Sequence, residues 1–375
     1  MSNPVSQKAE NRLNSKERNP FLRKRRNRQR CNGAETPSCY PFADFMNIEE
    51  VFNLSNIEQS AKRCLRGVRW KRSAQNFELA FSYNSWLIHK EMLRNKYKCQ
   101  GYRKMIHPDR GKVREINAPR FKDRVVQKCL CANEIDPVFI PKFIYDNGAC
   151  LKKKGTKFSV DRAKALLHKY YLNNKSNDGY ALTMDIKSFF KSINHQKIID
   201  KVSQHLDPSL TNLYKYLINC FEGDTGLGLG SEISQISAMI YLNGLDHYIK
   251  DDLKIKYYNR HMDDSIIYVK TKAEAWYLLS KIRKAVEILD LKLNEKKTQI
   301  YRLKDGFPYL KRKIILHENG KIVVKPFKGN ILRNKRKYRK LLKHGKFKAA
   351  AVVKQCFKGY LKEFNYIDRY LKGET

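Results

Sequence analysis

Apolar positions recur along this chain at two spacings, and the switches between them divide it into segments. From Trp70 to Lys96 they fall at helical spacing, which predicts a helix. The runs Tyr102-Arg103-Lys104-Met105-Ile106-His107 and Lys112-Val113-Arg114-Glu115-Ile116-Asn117 flank Pro108-Asp109-Arg110-Gly111 and predict a hairpin, ended by Ala118-Pro119. A helix opens at Asp123-Arg124-Val125-Val126-Gln127. Tyr180-Ala181-Leu182-Thr183-Met184-Asp185 has the near-continuous apolar character of a buried strand. Helical stretches continue to Cys220, and the glycine-rich loop Gly226-Leu227-Gly228-Leu229-Gly230 precedes a helix over about 231–250. Two strands, 256–262 and 265–270, are predicted on either side of a tight turn at Asp263-Asp264. A helix over about 273–289 and a strand over about 291–301 complete the order β-α-β-β-α-β. Beyond Phe307, two short strands lead into basic helices over 331–344 and 347–357, separated near Gly345, and no internal repeat is present.

Charge narrows the class of partner. The 375 residues hold 77 Lys plus Arg against 37 Asp plus Glu, a formal net charge of +40. So large a self-repulsion points to a polyanion, and even the plainer alternative of a basic ribosome-associated protein leads to nucleic acid. A membrane surface fits less well, because no basic amphipathic helix stands apart from the fold. No run of 18 apolar residues offers a membrane span, and the first residues carry no apolar leader, so the expected location is the cytoplasm. Residues 1–46 lack periodicity. Ten Lys/Arg and two Glu fall within residues 1–31, centred on Arg23-Lys24-Arg25-Arg26-Asn27-Arg28, which reads as a disordered arm for phosphates or as a solvated tail. The nine cysteines are odd in number and contain no Cys-x-x-Cys, which argues against a zinc ribbon or a disulfide framework. Most are expected to be small buried residues in a reducing compartment.

The candidate chemistry lies in carboxylates. Asp185 closes one predicted strand and Asp263-Asp264 caps a hairpin 78 residues later; in a β-α-β-β sheet those ends can lie side by side. Three carboxylates at one sheet edge repel one another unless a divalent cation lies between them, and oxygen-only donors favour Mg2+ or Mn2+. Two such ions about 3.5–4 Å apart are a standard device for nucleotidyl transfer. Taken alone, Asp-Asp is more often a solvated turn, since Asp suits turn geometry.

Three ordered runs change that balance. Asp185-Ile186-Lys187-Ser188-Phe189-Phe190 resembles motif A of reverse transcriptases, Asp-x-x-x-Phe-Phe/Tyr. Gly230-Ser231-Glu232-Ile233-Ser234-Gln235, followed by Tyr241-Leu242-Asn243-Gly244-Leu245-Asp246, resembles motif B. Tyr258-Asn259-Arg260-His261-Met262-Asp263-Asp264 resembles motif C, usually Tyr-x-Asp-Asp. Gly111 to Ile116 with Asp123 to Gln127 is similar to the fingers motifs. Leu291-Lys292-Leu293-Asn294-Glu295-Lys296-Lys297-Thr298 resembles motif D, and Phe307-Pro308-Tyr309-Leu310-Lys311 the primer grip, with Lys311 where Gly is usual. The basic helices near 331–370, with Gly359-Tyr360-Leu361, look like a thumb. The likeness covers roughly residues 48–370.

The resemblance implies a right-hand polymerase of the α+β class: a basic arm over 1–46, fingers over 47–178, a ferredoxin-like palm over 179–316 and a helical thumb over 317–375. It implies an RNA-directed DNA polymerase using two Mg2+ ions (Mn2+ as an alternative), an RNA template, a DNA or RNA primer and dNTPs, with a non-coding RNA or accessory protein as further partners. Asp185 and Asp263 would hold the ions, with Asp264 in electrostatic support. Lys112 and Arg114 would clamp the triphosphate. Ile186, Gly230 and Gln235 would line the nucleotide, and Gly228 and Gly230 would let backbone approach it. Phe190 would be the steric gate against ribonucleotides, with Phe189 in the core, and Lys297, next to Lys296, would donate a proton to pyrophosphate. In motif B, Leu229 and Gln235 stand where Gln and Pro are usual, and Tyr145-Asp146-Asn147-Gly148-Ala149-Cys150 precedes Lys154-Gly155-Thr156. These resemble the enzymes of diversity-generating retroelements and related bacterial groups, some antiviral. His261 replaces the usual Tyr of motif C, and a His beside two carboxylates is expected to have a raised pKa and to make activity pH-dependent near neutrality. The competing class is a basic RNA-binding protein with a decayed palm.

Overall fold

The computed structural model describes residues 46–109, 112–362 and 364. The expected basic arm therefore lies outside the described residues, except for Met46, as do Gly111, Cys31 and Cys39.

The described chain opens with helices α1 (Ile48–Val51), α2 (Leu54–Leu65), α3 (Arg72–Leu79) and α4 (Phe81–Leu93). The helix predicted over 70–96 is thus interrupted at Ala80. There the Asn84 side-chain amide donates to the Phe77 carbonyl (3.0 Å), taking an acceptor that a continuous helix would have used. Strands β1 (Tyr102–Asp109) and β2 (Lys112–Pro119) pair antiparallel as expected, and α5 (Phe121–Leu130) runs through a π turn into α6 (Asp136–Phe139). Buried Asp123 anchors the start of α5, accepting from the Tyr97 hydroxyl (2.7 Å) and the Gln100 N–H (2.9 Å).

Helix α7 (Thr156–Asn174) then leads to the central sheet. Its strands are β3 (Tyr180–Met184), β4 (Tyr258–His261), β5 (Asp264–Val269) and β6 (Gln299–Arg302), in the order β4-β5-β3-β6 with every pairing antiparallel. Between β3 and β4 lie α8 (Phe189–Ser192), α9 (His195–Ser203), α10 (Pro208–Asn219) and α11 (Glu232–His247); α12 (Lys272–Ile288) lies between β5 and β6. This is the ferredoxin-like order read from the sequence. Side chains alternate across it: Leu182, Met184, Ile267 and Val269 belong to one core with α11 and α12, whereas Ala181, Ile266 and Tyr268 belong to a second with α7. Both faces are covered, which is why β3 reads as continuously apolar.

The strand expected over 291–301 is shorter. Residues 291–298 leave the ladder and touch motif A instead, through an Ile186–Leu293 bridge and a Lys187 N–H to Lys292 carbonyl bond (2.8 Å). Three strands, not two, follow: β7 (Phe307–Tyr309), β8 (Arg312–Leu316) and β9 (Ile322–Pro326). Leu310 and Lys311 between β7 and β8 have φ of 44° and 66°, so Lys311 occupies a left-handed conformation that suits the Gly usual there. Helices α13 (Lys328–Lys343) and α14 (Phe347–Lys362) finish the fold, broken at Gly345 as expected. Three of the seven described cysteines, Cys64, Cys129 and Cys131, are buried; Cys150 and Cys356 are exposed, so the expectation that most are buried does not hold among them. Among the described residues no helix is long and apolar enough to cross a membrane.

Candidate active site

Asp185 directly follows β3, Asp263 forms the β4–β5 turn and Asp264 begins β5. The register Met184–Ser265 and His261–Asp264 sets all three at one end of adjacent strands. Asp185 is buried. Lys297 donates to its Oδ1 (2.6 Å) and the Asn294 side-chain amide to its Oδ2 (2.9 Å), while the Asn294 N–H binds the Asp185 carbonyl (2.7 Å). The irregular stretch after α12 therefore exists to lay two side chains, three residues apart, against one carboxylate. Both neighbouring lysines, Lys296 and Lys297, are exposed, and it is Lys297 that reaches Asp185.

Charge is crowded here. Burial, then the Asp185 charge, raise the Asp263 pKa against the opposing pull of Lys297 and Arg114. Burial, then Asp263 and Asp185, push Asp264 up to about 7. Burial works against the charge on Lys297, but its bond to Asp185 and the surrounding carboxylates outweigh this and raise its pKa. Among the described residues no group of three or more His, Cys, Asp or Glu is set to hold a metal ion unaided. The donors nonetheless fit a hard divalent cation in kind. They are oxygens only, and the raised pKa values of Asp263 and Asp264 mark an excess of negative charge that a cation would relieve.

A raised carboxyl pKa carries a sign. The folded chain holds the proton more tightly than the unfolded chain, so stability should fall as pH rises from about 4 to about 7. Glu134 (about 7) and Asp136 (about 6), both raised first by burial, act in the same direction. His205, held down to about 4 by burial, acts in the opposite direction. The expected result is therefore a difference: as pH rises from about 4 to about 7, the metal-free melting temperature of Asp264→Asn should gain on that of the unsubstituted chain, and added Mg2+ should have the same effect. A variant with the wild-type slope would remove Asp264 from the account.

The turn has a buried support. Arg260, on β4, makes two bonds to the carboxylate of Asp246 in α11 (2.7 and 2.5 Å) and donates to the Met262 carbonyl (3.1 Å). The Tyr258 hydroxyl completes Asp246 (2.7 Å). Met262 has φ of 57°, so the residue before Asp263 is held in a left-handed turn by a fully enclosed ion pair. His261 points to the other face of β4, with Nδ1 2.8 Å from the Ser159 hydroxyl. Burial and then the Arg260 charge lower its pKa, with no contribution from the Asp pair. The expected raised pKa, and the near-neutral pH dependence drawn from it, are therefore corrected: although His261 pairs with Asp264 across the strands, its ring is buried against Ser159 beside the Arg260 charge.

The remaining expected residues divide. Arg114, on β2, is close enough for its charge to act on Asp263, whereas the Lys112 backbone opens β2 and its side chain lies outside the described residues. Ile186 is buried in the main core, directly after Asp185. Phe189 is buried as expected; Phe190 is half-buried, edge-on to Phe189 (5.6 Å), and its carbonyl accepts from Leu227 (2.7 Å). Gln235 is exposed on α11 although Ile233, Ser234 and residues 236–246 are buried, which singles it out. Gly228 and Gly230 do allow a close backbone approach, but to β2. The Asn117 N–H binds the Leu229 carbonyl (2.8 Å), a Cβ on Gly228 would lie 2.8 Å from the Asn117 Cβ, and one on Gly230 (φ 103°) 2.8 Å from the Ile116 Cγ2. The loop thereby fixes the hairpin bearing Arg114 over the carboxylates.

Sequence reasoning passed over Asn294, Arg260 and Asp246 as functional positions, although all lie inside quoted motifs. The usable signal was type: an Arg within an apolar strand and an Asp within an apolar helix each demand a partner.

Residues 95–315 match the family described as reverse transcriptase (RNA-dependent DNA polymerase). YkfC of Escherichia coli (strain K12) is 22% identical over 61% of this chain and 70% of that protein. Among solved structures, telomerase from Candida albicans in complex with a fragment of telomeric RNA covers 60% of this chain and 45% of its own, at 10% identity and a TM-score of 0.46. Apo telomerase from Candida tropicalis is similar at 12% identity and a TM-score of 0.44, over 60% of this chain. The chain thus spans about half the length of the telomerase chains it matches. With the family match covering more than half of the sequence and the motif order borne out by the sheet, this chain belongs to the reverse transcriptase (RNA-dependent DNA polymerase) family.

Proposed function

We propose that this chain copies RNA into DNA, with Asp185, Asp263 and Asp264 as its metal-binding carboxylates. The observation that carries this reading is their grouping at one end of β3 and β5 under a hairpin that brings Arg114 within electrostatic reach. In this reading residues 47–178 are the fingers, 179–316 the palm and 317–375 the thumb.

Asp185 and Asp263 would hold two Mg2+ ions, or Mn2+, with Asp264 in support, and the ions would supply an activated primer 3′-hydroxyl and charge neutralisation at the leaving pyrophosphate. Lys297 would have to leave Asp185 as that charge is compensated, which frees a protonated ammonium in the site to donate to pyrophosphate. Arg114 and Lys112 grip the triphosphate, and Gln235 faces the nucleotide from α11. The Phe190 ring fills the space under the sugar C2′. Phe190→Ala should therefore admit ribonucleotides, raising their kcat/KM on the order of tenfold or more relative to dNTPs, a change of about 1.4 kcal/mol per decade; unchanged selectivity would remove Phe190 as the gate. Leu229 and Gln235 in motif B support a reading in which the chain belongs to the diversity-generating-retroelement or related antiviral branch, and gene neighbourhood separates those roles.

A specific observation supports a second reading, the decayed RNA-binding palm: Lys297 and Asn294 already occupy both oxygens of Asp185. Primer extension on an RNA template with Mg2+ and dNTPs decides between them. Extension supports the polymerase; tight RNA binding without any extension supports the decayed palm.

A further inference from the structure

The end of the central sheet away from the carboxylates carries a second basic feature. A cavity of about 470 Å³ is lined by Asp178, Gly179, Tyr180, Thr271 and four cations, Lys270, Lys272, Arg302 and Lys304. Register explains their convergence. Tyr180 begins β3 and pairs with Val269 on one side and Arg302 on the other, so Lys270 leaves β5, and Arg302 ends β6, at the same edge. Five residues of β3 separate this edge from Asp185, about 16 Å at the usual strand rise. The single acid of the lining, Asp178, lies near Lys304 (3.4 Å). Among the described residues none forms an ion pair with Lys270, Lys272 or Arg302. The nearby Glu274 carboxylate accepts the Lys270 backbone N–H instead (3.1 Å). The lining therefore keeps a net charge of about +3, a concentration that folding alone does not explain.

A second observation lies on the same helix. Trp276 and Tyr277 of α12 are more than half exposed, and Lys281 sits 5.5 Å over the Tyr277 ring. Trp276 follows Lys272 by four residues, which puts it one turn from the cavity rim on the same stripe of α12. Cations that track phosphates beside an exposed ring on which a base can stack form the usual composition of a single-strand contact surface.

We propose that this edge, with Lys270, Lys272 and Arg302 on phosphates and Trp276 under a base, holds a single-stranded stretch of the template RNA outside the catalytic cleft. The proposal rests on the polymerase reading only for the identity of the strand as RNA. Its test measures binding of a long single-stranded RNA to full-length chain in the Asp263→Asn background, with and without Lys270→Ala/Lys272→Ala/Arg302→Ala, and separately with Trp276→Ala. Affinity should fall tenfold or more in each. In the triple variant the slope of log affinity against log salt should fall by about 2, from roughly 0.7 per lost phosphate contact. In chains with Asp263 intact, extension of a short primer–template that fills only the cleft should stay within about twofold of its unsubstituted value. Unchanged affinity and slope for RNA would overturn the proposal, as would equal loss of short-template extension, or loss for DNA of the same sequence but not for RNA. If no extension occurs even with Asp263 while RNA binding depends on these residues as stated, the surface stands and the polymerase reading falls.

Discussion

Asp263→Asn should abolish primer extension on an RNA template, by on the order of a thousandfold or more, while leaving RNA binding intact and stability equal or higher. The rate follows from charge. One oxygen donor set is removed from the place where a divalent ion would meet the primer hydroxyl. A loss of about 4 kcal/mol of transition-state stabilisation is about three decades at 1.36 kcal/mol per decade. The stability follows from the same site read in the opposite sense. Burial and Asp185 already raise the Asp263 pKa, so the fold holds that charge at a cost, which the amide removes. Lost activity together with an undiminished melting temperature is a pairing that a merely structural aspartate would not give. Full extension by this variant would sink the proposed mechanism.

Breaking the ion pair beneath the turn should have the opposite signature. Asp246→Ala leaves the Arg260 guanidinium enclosed with no carboxylate, facing the Met262 carbonyl and the Tyr258 hydroxyl, and Arg260→Met leaves the Asp246 carboxylate with the Tyr258 hydroxyl. Removing one partner of a buried pair typically costs about 3–5 kcal/mol. Replacing both, as in Asp246→Leu/Arg260→Met, should recover much of that loss in stability, because no uncompensated charge remains. It should not recover activity, since the bond that holds Met262 in its left-handed turn before Asp263 is absent in both Arg260 variants. Denaturant unfolding of the two single variants and the double measures the first claim, and extension rates measure the second. Single variants within about 1 kcal/mol of the unsubstituted chain would show that the pair is not a support.

The palm was legible because its signals are local. Tyr180 to Met184 carries a buried strand's composition, the Asp263-Asp264 turn sits between two β-rich runs, and Gly345 divides two helical patterns. Expectations failed where a side chain answered to a distant partner. Asn84 interrupts a helix by taking the Phe77 carbonyl, and the segment 291–298 leaves the sheet to reach Asp185. His261 misled for a related reason. Two residues before Asp263 in sequence and paired with Asp264 across the strands, it nevertheless meets Ser159 from a helix 102 positions earlier.

The sequence by itself determined the order β-α-β-β-α-β, the three carboxylates and the basic character of the whole, because strand period, turn residue types and net charge are carried by neighbouring residues or by simple count. The tertiary structure decided the rest. It turned Lys297 rather than Lys296 onto Asp185, set Arg260 and Asp246 against each other beneath the turn, bound the Gly228–Gly230 loop to β2 rather than leaving it open, and gathered Lys270, Lys272 and Arg302 at one sheet edge. Each of these depends on strand register and on which face of a helix is buried, and packing between segments tens of residues apart fixes both.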